Sequence, residues 1–185
     1  VFAGRAEFFT LALIQGPKPP DATIISFIQE FAEEKNKYEG RGLFYELHSN
    51  LADIDEAMIA LFVDKRIQIR AAFDGDAAVH DAQRGLSGAP SHADAVDRIR
   101  ALHAAAEQAG LSRDEYSTFG EVKVGQAALG QVQPIVAGLT DAGIREFRVT
   151  PIMDGEGAIS AAQYADFVAD LVRLLAAQED GPDKL

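Results

Sequence analysis

Helix-period stretches alternate with short β-rich runs along this chain, and that alternation restricts the fold more than any other feature. The chain opens on what reads as a strand end, Val1 to Gly4. Asp21 then caps a helix over 22–38, in which Ile24, Phe27, Ile28 and Phe31 make one apolar stripe. Leu43 to Leu47 reads as a strand, and Asp53-Ile-Asp-Glu56 opens a helix to about Lys65. Apolar residues at alternate positions make 67–73 a strand, followed by a loop over 74–90. Ser91 caps a helix to about Ala109, and Ser112 to Glu115 forms a capping box on a single turn. A strand over 119–125, a helix over 129–142, a strand over 144–152 and a helix opened by Ser160 complete the pattern.

Five strands separated by helices make βα units and hence a parallel sheet. Right-handed crossovers between sequential strands put every helix on one side, which curls the sheet toward a partial (β/α) barrel. A flavodoxin-like open sheet is the competing architecture, and periodicity alone does not separate the two.

At 185 residues the chain suits one domain, read as 1–178 with a solvated tail over 179–185. A domain of that length folds without disulfides or a structural metal. The formal net charge of −12 makes nucleic acid and anionic membrane poor partners. The longest uncharged apolar stretch, Phe8 to Gln15, is far short of the roughly 20 residues of a membrane span. No secretory leader is evident, and a cytoplasmic location is expected. With no cysteine, the chain has no thiolate nucleophile and no ligand for an all-cysteine iron–sulfur cluster.

In parallel α/β sheets function gathers at the carboxyl ends of the strands. Those ends read as Gly4 to Glu7, His48-Ser49-Asn50, Asp74-Gly75, Gly125-Gln126 and Thr150 to Asp154. Rim candidates are therefore Glu7, His48, Ser49, Asn50, Asp74, Arg148 and Thr150. The competing reading makes Asn50 and Asp74-Gly75 turn and cap residues. The loop with Asp74, Gly75, His80, Asp81 and Arg84 offers an ion pair and a titratable imidazole, expected to order the segment rather than catalyse. His48, His92 and His103 lack metal-ligand spacing with His80, no glycine-rich phosphate loop follows a strand, and no serine sits in a nucleophile elbow.

The run IQIRAAFDGDAAVHDAQRG, followed by SHADAVDRIRALHAAAEQAG, resembles the fourth strand, loop and helix of radical S-adenosylmethionine (AdoMet) enzymes of the SPASM maturase type. The likeness extends in order: GLFYELHSN resembles their third strand, GIREFRVTPI the sixth, and ISAAQYADFVADLV the closing helix. VFAGRAEFF resembles a worn form of the Gly-Gly-Glu-Pro strand that holds the cofactor's methionine amino group.

Three departures fall at the cofactor. The Cys-x3-Cys-x2-Cys loop of such enzymes is missing, Gly4-Arg5-Ala6-Glu7 stands for Gly-Gly-Glu-Pro, and Ala72 stands for a serine that touches the cofactor. The resemblance then implies a cluster-free, degenerate subunit that binds a peptide or partner enzyme in a maturation pathway, with no cofactor of its own. The alternative is a fragment of an active maturase that would use AdoMet and a 4Fe–4S cluster held by other sequence. Val1, Phe2, Phe8 and Phe9 form the expected partner edge: Val1, Phe2 and Ala3 offer no charge or proline to blunt it, and Phe8 and Phe9 add apolar surface beside it.

Overall fold

A computed structural model of the chain describes residues 8–14, 21–37, 42–84 and 91–179. In order these form β1 (Phe8–Ile14), α1 (Ala22–Asn36), β2 (Gly42–Ser49), α2 (Glu56–Asp64), β3 (Ile67–Ala71), α3 (Ala77–Arg84), α4 (His92–Gln108), β4 (Thr118–Val124), α5 (Val132–Asp141), β5 (Phe147–Pro151) and α6 (Ala161–Glu179). The five strands run parallel in the order β1-β2-β3-β4-β5, giving a half-barrel. The partial-barrel expectation is met, and the doubly wound alternative is not.

Strand alternation sorts the two faces of the sheet. Tyr45, Leu47, Ile67, Ile69, Val122 and Val124 point to the helix side and are buried. There they meet Ile25, Phe62, Ile99, Leu102, Ile135 and Leu139 in one apolar cluster. Each such side chain contributes about 1.5–3 kcal/mol by leaving water. The intervening positions of β2 to β5 (Glu46, His48, Arg70, Glu121, Lys123, Arg148, Thr150) face the other way, onto the open face.

Local signals set the helix starts. Asp21, Asp55 and Ser91 each accept a backbone N–H of the first turn, from Thr23 at 2.7 Å, Met58 at 2.8 Å and Asp94 at 3.3 Å. Ser160 and Gln163 exchange reciprocal capping bonds of 2.9 and 3.2 Å before α6.

Three expectations need correction. The first described strand is Phe8–Ile14, a stretch for which the sequence alone named no strand. Val1, Phe2 and Glu7 lie outside the described residues, as does the tail beyond 179. The segment expected as a loop over 74–90 contains α3, in which Val79 and His80 are buried. Finally, α1 buries Ile25 and Gln29 and leaves Ile24, Phe27 and Phe31 exposed.

Two glycines bring α5 onto the β3–α3 connection. A Cβ on Gly138 would lie 2.1 Å from the Gly75 carbonyl oxygen, and one on Gly75 would lie 2.2 Å from that of Ile135. Gly75 also has φ +76°, a left-handed conformation that disfavours a side chain.

Candidate functional site

The open face carries a network of charged side chains built from alternate positions of four neighbouring strands. Parallel register sets Glu46 near Arg70, because Glu46 pairs with Gln68 and His48 with Arg70. The Arg70 fork donates to both oxygens of Glu46 at 2.6 Å and holds that carboxyl below its ordinary value. The guanidinium also lies over the Phe119 ring, 4.3 Å from its centroid. Glu121 lies opposite Arg148 in the β4–β5 register. Arg148 donates to Glu121 Oε1 at 2.6 Å, and His48 Nδ1 stands 3.1 Å from the same oxygen. His48 Nε2 is 3.9 Å from Glu46 Oε2, which links the two pairs.

At the carboxyl end of this face, Lys123 is exposed and in register with Thr150. Its backbone is fixed by Asp74 Oδ1, which accepts its N–H at 2.7 Å, and by Gln83, which donates to its carbonyl at 3.0 Å. Behind it, Ala82, Gln83, Gln126, Ala127, Ile152, Glu156 and Gly157 line a cavity of about 310 Å³. At the opposite end of the strands, Phe119, Phe147, Val149, Leu171 and Leu175 line a groove of about 420 Å³, with Arg145 and Glu146 beside them.

The rim candidates divide. His48, Arg148 and Thr150 share the open face, and His48 and Arg148 meet through Glu121. Ser49 is buried toward the helices, where its Oγ accepts the Leu51 N–H at 2.9 Å. Asn50 accepts the Ala52 N–H at 3.0 Å. These two turn bonds hold Leu51 at φ 65°, unusual for a residue with a side chain. Asp74 is fully buried: Arg84 donates to both its oxygens at 2.7 and 2.8 Å, and the Lys123 N–H to Oδ1. Ser49, Asn50 and Asp74 thus each accept a backbone N–H of the fold.

The remaining loop candidates surround that pair. Arg84 donates onward to the Glu121 carbonyl at 2.9 Å. His80 Nδ1 accepts the Asp74 N–H at 3.3 Å, and Asp81 accepts the His92 N–H at 2.7 Å. The rings of Phe73, His80 and His92 pack together with centroids 5.1–5.9 Å apart, and His92 Nε2 lies 2.7 Å from the Gly75 carbonyl.

Glu46, Arg70, Glu121 and Lys123 were not singled out from the sequence. The alternation in Thr118–Val124, T-F-G-E-V-K-V, puts Glu121 and Lys123 on one face and was the signal available. Among the described residues no group of three or more His, Asp or Glu could hold a metal ion, and no helix is long and apolar enough to cross a membrane. Without cysteine, the chain's own side chains do not fit an all-cysteine iron–sulfur cluster.

Solved structures of anSMEcpe, a radical SAM/SPASM maturase, share this architecture. With bound AdoMet, the native form superposes with TM-score 0.68 at 13% identity, covering 92% of this chain and 47% of that one. The fold is a partial radical-SAM-like barrel. A hexahistidine-tagged form with AdoMet gives TM-score 0.69 at 13% identity, covering 92% of this chain and 45% of that one. A third, with AdoMet and the Cp18Cys peptide, gives 0.68 at 12% identity, covering 92% and 47%. The radical-SAM-like half-barrel therefore spans about half the length of these chains. No protein-family model and no curated protein sequence matches it.

Proposed function

We propose that this chain is a cluster-free, peptide-binding half-barrel of a peptide or protein maturation pathway, working in the cytoplasm with a peptide or a partner enzyme. The edge of β1 carries this reading. Among the described residues β1 is an outer strand, its sequence Phe-Phe-Thr-Leu-Ala-Leu-Ile has no charge or proline, and Ile14 is 82% exposed. Such an edge invites an added strand, with main-chain bonds giving affinity and the adjacent face giving selectivity. Bound peptides in anSMEcpe structures, Cp18Cys and Kp18Cys, support a peptide as the occupant. Those two peptides are the first probes. Binding that weakens several-fold in Ile14→Lys, a charge placed on the edge at an exposed position, supports the reading. Absence of binding by either peptide, or equal binding by the variant, overturns it.

The length relationship favours a second reading, a fragment of an active maturase. The chain covers 45–47% of the AdoMet-bound anSMEcpe chains, so sequence beyond these 185 residues would supply the cluster thiolates. In that case AdoMet would bind near the strand ends, where His48, Arg148 and Thr150 are the rim candidates on the open face. Iron and sulfide analysis after anaerobic reconstitution, on the chain alone and on a longer form carrying the cysteines, separates the two. A cluster and AdoMet cleavage in the longer form alone favour the fragment.

A further inference from the structure

The protein is strongly acidic, at −12, yet the β4–β5 part of its open face presents cations with uncommitted donors. Arg148 lies on β5 with its side chain 54% exposed. Its one ion pair among the described residues uses Nη2 on Glu121, which leaves Nε and Nη1 of the fork available. Lys123 lies on β4, one step diagonally along the same face, and has no acidic partner among the described residues. Diagonal neighbours on one sheet face stand roughly 7–8 Å apart, within joint reach of one carboxylate for side chains this long. Thr150, in register with Lys123, adds a hydroxyl to the same patch. Glu121 is occupied by Arg148 and His48, and Glu156 in the loop after β5 makes no ion pair with either cation.

We infer that Lys123 and Arg148 form an anion subsite that takes the carboxylate of an aspartate or glutamate in a peptide laid along the open face. This rests on the peptide-binding reading, for a peptide that runs from the β1 edge across the open face to β4 and β5, and adds the charge of the residue recognised. The backbone of Lys123 is pinned on both sides by Asp74 and Gln83, so the ammonium projects from a fixed base. Arg148 supplies planar, paired donors that match a carboxylate, whereas Lys123 contributes a point charge. The cavity of about 310 Å³ nearby, with Gln83 and Gln126 on its wall, gives room for a neighbouring side chain of the same peptide.

The test uses three fluorescent peptides that differ only at one central residue, glutamate, glutamine or lysine, read by anisotropy at low and high salt. The glutamate peptide should bind about tenfold more tightly than the glutamine peptide, with the lysine peptide weakest. That preference should shrink as salt rises. Lys123→Gln, an exposed position whose circular dichroism should match the parent, should erase most of it, and Lys123→Arg should restore it. Free N-acetylglutamate should compete only weakly. Equal binding of the glutamate and glutamine peptides overturns the subsite while leaving the peptide-binding reading in place, and no binding by any peptide overturns both. Competition by N-acetylglutamate as tight as the peptide overturns the peptide as its ligand.

Discussion

Arg84 clamps Asp74 with both arms of its guanidinium, at 2.7 and 2.8 Å, around a carboxylate that has no contact with water. The pair joins α3 to the end of β3, and through the Lys123 N–H and the Glu121 carbonyl it joins both to β4. Taking away one member strands a buried charge, whereas a lone surface pair would matter little.

Arg84→Lys keeps the charge and loses the fork. It should destabilise the protein by about 1–3 kcal/mol in chemical denaturation, with exchange protection falling in α3. Arg84→Ala, which leaves Asp74 buried and unpaired, should cost about 3–5 kcal/mol. Unchanged protection across Ala77–Arg84 in the lysine variant would contradict this account.

Gly138→Ala should cost about 1–3 kcal/mol, because the added methyl meets the backbone of Gly75 at 2.1 Å and backbone gives way poorly. Gly110→Ala, with open space around its Cβ, should lose less, its penalty coming only from φ +76°. Thermal midpoints of the two variants decide the ranking.

His103 should make the fold sensitive to mild acid. Arg113 Nη1 can only donate, so at 2.9 Å it takes the Nδ1 lone pair and leaves the ring proton on Nε2. Burial, then the Arg113 charge, lowers the His103 pKa to about 4. The unfolded chain therefore takes up a proton near 6.5 while the folded chain does not, and stability falls as pH drops from about 6.5 to about 4. The loss approaches 3 kcal/mol at the bottom of that window. His103→Leu should flatten that part of the stability–pH curve.

Glu46 acts at lower pH, its pKa also lowered but by a charged partner rather than by burial. Its carboxyl is held below 4.5 by the Arg70 fork, so its contribution is complete above that value and disappears as pH falls through the lowered one. A double-mutant cycle with Glu46→Gln and Arg70→Gln at neutral pH should give a coupling of about 1–2 kcal/mol. Repeating the cycle at a pH below the lowered value should reduce the coupling.

Much of the fold was legible because its signals act over a few residues. Asp21, Asp55, Ser91 and Ser160 start helices by bonding donors two or three positions away, and any chain with those residues there feels the same pull. The alternation in Ile67–Ala71 marks a half-buried strand on its own. Repeated βα units then leave few topologies, and the resemblance to radical AdoMet enzymes pointed to the curled one.

Tertiary structure decided what depends on partners far along the chain. The place of helix α3 depends on Asp74, ten residues before Arg84, and on the backbone of Glu121 and Lys123. The phase of α1 was settled by the core it packs on, which covered Ile25 and Gln29 and left Phe27 and Phe31 in solvent. Glu46 and Arg70 are 24 residues apart, and Glu121 and Arg148 are 27. Each pair exists because parallel register puts alternate side chains of neighbouring strands on one face. Capping and alternation are properties of adjacent residues, whereas register and the choice of buried face exist only once the strands have met.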